Sequence, residues 1–415
     1  MTQPSVISGD RSYRALLAVP SIGRVLLGMQ IARIAGSMVA VAMVLFSLAT
    51  YHSAPLAGLV TFVSIFPGLL VSPIAGALLD RHGRTRLVIL DYVIAGASLV
   101  LIGLLALADL LPAWLLVLIA AISSLTGPLS ATGLRSLFPL LVPRHLWERA
   151  NAVDSNGYVL ASVVGPPVAG VLVQVWGGPP ALLVMGGLHW LAGLVLVGSP
   201  DPRTETDSTG RLWLDAWRGL VYTWQNRTLR ALGFSISLLN LSSGMTTIVV
   251  PLLVLDHLRA GAVMVGVLFA IQGIFGVLAA FVSGRFDSEG RERRMLAPPM
   301  VGCALAVSLL LLGTGWLPAL GLLPLALAMA ITGLLNGPMD IALFTLRQRR
   351  TDQAWMGRAF AVSMSFNFMG FPVGSALTGW LVGRSLELAI VFGVAACLGA
   401  ALIAQLAIPT EAPPA

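Results

Sequence analysis

The sequence predicts an all-α membrane protein of about twelve transmembrane helices arranged as two six-helix bundles. Three observations predict it. Of the 415 residues, 57% are hydrophobic and 10% charged, with a mean hydropathy of +0.89. A soluble domain carries roughly 25% charged residues, so polar surface is too scarce here to cover a water-soluble fold of this size. Apolar runs of bilayer-crossing length, about 20 residues, follow one another along the chain. Finally, the charged turn Gly76-Ala-Leu-Leu-Asp80-Arg81-His82-Gly83-Arg84 has a ragged copy, Ser283-Gly-Arg-Phe-Asp287-Ser-Glu-Gly290-Arg291. Asp80, Gly83 and Arg84 map onto Asp287, Gly290 and Arg291 at a constant offset of 207, half of the chain.

The candidate spans lie near 22–50, 56–79, 87–108, 112–134, 151–175, 181–199, 231–255, 262–283, 295–316, 320–346, 359–383 and 388–408. Arg11 and Arg14 precede the first as they would a signal peptide. That run is too long for a signal core and lacks a small-residue cleavage site, so it reads as an uncleaved first helix. Turn residues punctuate the rest: His52-Ser-Ala-Pro55, Asp109-Leu-Leu-Pro112, Trp176-Gly-Gly-Pro-Pro180 and Trp316-Leu-Pro318. Pro200–Arg230 differs, being polar at first and then amphipathic, with Leu212, Trp213, Trp217, Leu220, Val221 and Trp224 set among Arg211, Asp215, Arg218 and Arg227. It reads as a linker with a helix lying in the membrane interface. The expected organisation is a first bundle over 1–200, a linker over 201–230 and a second bundle over 231–415. The repeat extends further: Thr126-Gly-Pro128 resembles Asn336-Gly-Pro338, Arg149-Ala-Asn-Ala-Val153 resembles Arg358-Ala-Phe-Ala-Val362, and Gly165-Pro-Pro-Val168 resembles Gly370-Phe-Pro-Val373. Paired halves of this kind are the organisation of secondary transporters.

All 25 basic residues are arginine. On this span assignment 22 of them fall on one side, and only Arg259 and Arg384 fall in loops on the other, with Arg33 inside a helix. That asymmetry is the positive-inside rule and places both termini and the linker in the cytoplasm. The net charge of +7 therefore reports topology rather than a nucleic-acid partner. The lack of lysine suggests a GC-rich bacterial genome, and hence a bacterial inner membrane. Cys303 and Cys397 fall within apolar runs without metal-site spacing, and read as small core residues.

Along essentially its whole length the chain resembles the major facilitator superfamily. Gly76-x-x-x-Asp80-Arg81-x-Gly83-Arg84-x-Arg86 matches that superfamily's signature between the second and third helices. Physically, glycine permits close helix approach, and Asp80 can accept hydrogen bonds from arginines or a helix N-terminus. The resemblance implies that this turn, with Asp287, Gly290 and Arg291 in its copy, acts as a conformational latch between access states; the alternative is a topology-setting basic loop. Ala161-x-x-x-Gly165-Pro166-x-x-Ala169-Gly170 in the fifth span resembles the superfamily's antiporter motif, and its small residues permit tight packing. Arg135-Ser-Leu-Phe-Pro-Leu-Leu-Val-Pro143 with Arg149-Ala-Asn-Ala is similar to the branch of macrolide efflux pumps and the enterobactin exporter. Two departures stand out: no arginine lies in the fourth span, and the branch's Gly-Asp in the first span is Gly36-Ser37 here.

Charges inside the spans are the candidates for coupling. Arg33 lies about 15 Å into the first helix at 1.5 Å per residue. An intramembrane arginine costs about 2.5 kcal/mol or more, so it should face a cavity or a partner. Asp340 lies in the tenth span, beside Pro338. The resemblance implies that the first, fourth, seventh and tenth helices line a central cavity, where a partly desolvated carboxylate can exchange a proton. The alternative is a structural ion pair of Asp340 with Arg33 or with Arg347. Asp91 and Asp154 read as structural partners of Arg84, Arg86 or Arg149, and His189 as a satisfied bundle residue. Gln30, Asn240, Gln272, Asn336 and Asn367 are candidates to hydrogen-bond a substrate or a neighbouring helix.

No phosphate-binding Gly-x-x-x-x-Gly-Lys loop, metal-spaced cluster or nucleophile setting occurs in the sequence, so neither an enzyme nor a cofactor is expected. The reading is a monomeric secondary transporter that exports a small amphipathic molecule, a drug or secondary metabolite, in exchange for protons. The alternatives are a lysophospholipid or siderophore carrier, an importer, or a non-transporting scaffold or sensor on the same fold.

Overall fold

A computed structural model of the chain describes residues 12–201, 212–283, 291–314, 321–351 and 356–409. The short helix α1 (Tyr13–Leu17) precedes the first bundle, and Ser12 caps it by accepting from the Ala15 N–H at 3.1 Å. The first half then runs α2 (Ile22–Tyr51), α3 (Ala54–Val63), α4 (Phe66–His82), α5 (Arg84–Leu107), α6 (Ala113–Ser124), α7 (Gly127–Leu141), α8 (Trp147–Trp176) and α9 (Gly178–Leu196). Helix α10 (Leu212–Gln225) lies in the connection, with Trp217, Leu220 and Trp224 exposed on it. The second half comprises α11 (Arg227–Leu252), α12 (Ala262–Ser283), α13 (Glu292–Ser308), α14 (Leu323–Arg349), α15 (Met356–Val382) and α16 (Leu386–Ala407).

Among the described residues, eleven helical segments are long and apolar enough to cross a membrane. The remaining expected span is α15, which has the length but carries Ser363, Asn367, Ser375 and Thr378. These polar side chains lower its hydropathy, yet all four are buried, so they meet protein rather than lipid. The lower apolarity thus reflects an interior helix.

Two expected spans are broken. The second divides where the Ser64 hydroxyl folds back onto the Val60 carbonyl at 2.7 Å and Ile65 leaves the helical region. Pro67 then starts α4, where its missing N–H costs nothing. The fourth divides at Leu125–Thr126, and Pro128 is the second residue of α7. The matching Asn336-Gly-Pro338 stays inside α14, so the repeat keeps register without keeping local conformation. The seventh span ends in a π-turn, Leu253–His257, and the ninth in a 3-10 turn, Leu309–Thr314.

The two ends of the molecule pack differently. At the arginine-poor end a single apolar core runs through both halves, joining Met38, Leu45, Phe46 and Met185 to Met245, Val249, Leu268 and Ile390. At the arginine-rich end each half has its own core: Val88, Leu134, Leu137 and Leu196 in the first, Leu232, Leu296, Ala342 and Leu346 in the second. The seam pairs α3 with α15 and α8 with α12. Bare backbone allows this approach: a Cβ on Gly58 would lie 3.1 Å from Gly379 Cα, and one on Gly266 would lie 2.7 Å from Pro167 Cα. Along α8 and α12 the contact runs from Gly170 against Ala262 down to Gly273 against Ser162. Beyond it, toward the arginine-rich end, Val159, Gly276 and Ala280 line a cavity instead. Among the described residues, the halves share one core at the arginine-poor end and keep separate cores at the other.

Candidate functional site

The cavity between the halves has a volume of about 490 Å³ and is walled by Ser37 of α2, Ser162 of α8, Thr247 of α11, Gln272 of α12, and Asn336 and Asp340 of α14. Gly337 lets α14 lie against the α12 backbone, where a Cβ would come within 2.7 Å of Ala280 N. Asn336 and Asp340, four residues apart, consequently share the adjoining wall. Asp340 is exposed to the cavity, and its carboxylate makes no hydrogen bond or ion pair with any described residue.

Neither expected partner of Asp340 is its partner in the structure. Arg33 turns within its own half to Asp154 of α8, donating from Nη2 to the carboxylate and from Nη1 to the backbone carbonyl at 2.8 Å. Its guanidinium also stacks on the Tyr158 ring, 3.8 Å from the centroid. The physical reason is proximity: α2 and α8 are packed neighbours in one bundle, whereas Asp340 lies across the cavity. Arg347 is fully buried and points toward Met364 and Asn367 of α15, with Nη1 2.8 Å from Met364 Sδ. Asp154 is thus a partner of Arg33, a pairing the sequence did not suggest. Asp91 makes no ion pair with Arg84 or Arg86; it is buried inside the first half, within hydrogen-bond reach of Ser130 and Thr126.

The polar candidates divide. Gln272 and Asn336 are on the cavity wall, and Gln272 Nε2 also donates to Thr332 Oγ1 at 3.3 Å. Gln30 donates to the Gly157 carbonyl at 3.2 Å, tying α2 to α8. Asn240 donates to the Asn367 carbonyl at 3.0 Å, tying α11 to α15. Asn367 itself is 2% exposed, and its amide serves Arg347 and Ser363 inside the second half. Gln30, Asn240 and Asn367 are therefore interhelical ties in this conformation. The first, seventh and tenth spans line the cavity as expected, but the fourth faces a separate cavity within the first half, through Ser123, Ser124 and Ser130.

Residues of the fifth-span motif lie on two helix contacts. Gly165 meets α2 at Ile34 and Ser37, Gly170 meets Ala262 at the start of α12, Pro166 lines the central cavity, and Ala161 is buried. In the charged turn, Gly76 and Asp80 belong to α4, but their side-chain environment lies outside the described structure, as do Asp287 and Gly290 entirely. Arg81 is exposed, and Arg291 is exposed at the start of α13. Gly83 has φ +95° and precedes α5 without offering a side-chain cap. Asp201, which follows α9, supplies it: its Oδ1 accepts from the N–H groups of Arg84 at 2.8 Å and Thr85 at 3.2 Å. Sequence reasoning missed Asp201. The available signal was a helix start with only glycine at its cap, which leaves N–H groups that some other acceptor must satisfy.

Two helical bundles around a largely apolar cavity with a few polar groups, sharing a core at one end and, among the described residues, not at the other, have the architecture of a membrane transporter. The sequence model of the Major Facilitator Superfamily matches residues 25–368 and 232–415, and the chain belongs to that superfamily. It is accordingly a transporter and not an enzyme. The chain is 36% identical over 410 residues to the uncharacterized MFS-type transporter y4rN of Sinorhizobium fredii, covering 97% of this chain and 98% of that one. It is 28% identical over 342 residues to the multidrug efflux pump Tap of Mycobacterium tuberculosis, covering 79% and 78%. The crystal structure of the nucleoside transporter NupG superposes with a TM-score of 0.72 at 12% identity, covering 92% of this chain and 96% of that one; this likeness concerns the fold alone.

Proposed function

We propose that this transporter exports a small amphipathic molecule, a drug or secondary metabolite, by alternating access, in exchange for protons. Efflux pumps among its relatives and the antiporter-like fifth span support export. With the arginine-rich end in the cytoplasm of a bacterium, the described conformation is open inward and sealed toward the outside. The cavity then loads from the cytoplasm or the inner leaflet, and its mix of Phe269, Val277 and Phe371 with a few polar groups suits an amphipathic cargo.

The observation that carries the proton reading is Asp340, a carboxylate on the cavity wall that has no ion pair among the described residues. In this state the cavity can hydrate it; closure of the cytoplasmic side would strip that hydration and change its proton affinity. Asp340→Asn is expected to abolish proton-driven export from inverted vesicles while retaining counterflow of labelled substrate. Uphill export with unchanged pH dependence in that variant would remove Asp340 from the coupling role. A compound panel in a pump-deficient bacterium tests direction: an importer would sensitise cells, whereas an exporter would protect them.

A further inference from the structure

We propose that the cavity inside the first bundle is a binding subsite for an organic cation, with Asp91 as its charge partner. This rests on the reading that the protein carries an amphipathic small molecule, and it names the charge of that molecule. The cavity holds about 380 Å³, within the range of small-molecule sites, and is lined by α2, α5, α6, α7 and α9 together with Ser64 and with Tyr158 of α8.

The electrostatics of its wall favour a positive ligand. Asp91 on α5 is 4% exposed; the Ser130 and Thr126 hydroxyls near it bring no charge, and His189 is a titratable group it interacts with. Arg33 on α2 borders the same cavity, but Asp154 on α8 already balances it, and Tyr158 covers its face. His189 on α9 places Nδ1 2.9 Å from the Met185 carbonyl, so Nδ1 carries the hydrogen and the neutral ring keeps its Nε2 lone pair. That Nε2 meets no donor among the described residues. Tyr92 stands edge-on to the imidazole at 6.3 Å, and α6 and α7 contribute only hydroxyl and apolar groups to the wall. A carboxylate without a counter-charge among the described residues, an imidazole acceptor and a tyrosine ring lie among apolar residues such as Met29 and Leu99. A buried carboxylate without a counter-charge is unfavourable, and a lipophilic cation supplies the charge while filling the apolar space.

Tetraphenylphosphonium, which is permanently charged and cannot itself titrate, is the probe. Its binding to the purified full-length protein in detergent can be followed calorimetrically at pH 7.5. Asp91→Asn is expected to weaken it at least tenfold and Asp91→Glu much less, with the binding of neutral N-phenyl-1-naphthylamine unchanged in both. Ala95→Leu, which fills the cavity and leaves the carboxylate in place, should also weaken the cation and serves if Asp91→Asn does not fold. Unchanged affinity in Asp91→Asn, or in Ala95→Leu when the former is not recoverable, overturns the proposal. So does a larger loss from Asp340→Asn, which would locate the cation between the halves. If Asp91→Asn alters the pH dependence of transport but not the affinity, the carboxylate takes protons alone, and the proposal also fails. Cation binding without any transport in liposomes would instead sink the exporter reading and leave the subsite standing.

Discussion

Arg33 and Asp154 form a buried ion pair that fastens α2 to α8, with side chains 10% and 8% exposed. The arginine satisfies both the carboxylate and the carbonyl of the same residue, so its planar fork is used fully. Removing one partner strands the other charge at low dielectric, which costs about 3–5 kcal/mol. Asp154→Asn and Arg33→Ala should each lower the melting temperature of the purified protein markedly, with Arg33→Lys intermediate. Full stability in Arg33→Ala would show that the pair contributes nothing to the bundle.

Asp201 and α5 give a second prediction. Asp201→Ala leaves the first N–H groups of α5 without their acceptor, for a loss of about 1 kcal/mol, while Asp201→Asn keeps an acceptor oxygen and should lose less. Gly83→Ala should be worse than either: the backbone sits at φ +95°, and the added Cβ would approach Asp201 Cγ to 2.9 Å. Thermal melts of the three variants give the ranking, and a harmless Gly83→Ala would refute the account of the turn.

The seam offers a third. A leucine at Gly58 or Gly170 has no room against α15 or α12 and should force the arginine-poor end apart. Cysteines introduced at Ser37 or Ser162 should then become reactive to a membrane-impermeant maleimide from outside intact cells. Unchanged reactivity would mean that the seam yields elsewhere.

The charged turn and the topology can be tested together. Asp80→Asn is expected to cut transport while leaving expression intact, and normal transport would reduce the turn to a topology signal. Reporter fusions at Ala415 and near Thr209 should both behave as cytoplasmic, and an external signal from either would reverse the orientation assigned to the cavity.

The sequence discloses the helices better than their partners. Span length and the arginine distribution depend on the solvent, and hydropathy reads them directly; the halving shows as Asp80 and Asp287 in register. The resemblance, which implies that the tenth helix lines the central cavity, brings Asp340 to the cavity wall without any packing detail. It does not match Arg33 with its carboxylate, because chain position says nothing about which neighbour a helix presents. Asp154, near the end of its span, does not disclose its pairing with Arg33 until α2 and α8 are packed together. Likewise Asn367 and Asn240 have the same chemistry as Gln272 and Asn336, and only packing separates a tie between helices from a cavity wall. The breaks at Ser64 and Leu125 are hidden inside continuous apolar runs, where hydropathy cannot register a change of direction.

A cavity that reaches Asp340 from one side only has an electrical consequence. Water filling it from the arginine-rich side would carry that side's potential to the carboxylate, and the membrane voltage would then fall mainly across the seam of α3, α8, α12 and α15 rather than across the full bilayer. A single charge held at Asp340 that is later released on the far side has crossed that whole drop, worth about 2.3 kcal/mol per 100 mV. The seam is in effect a thin capacitor, and the membrane potential is a driving force for each cycle that moves net charge through it.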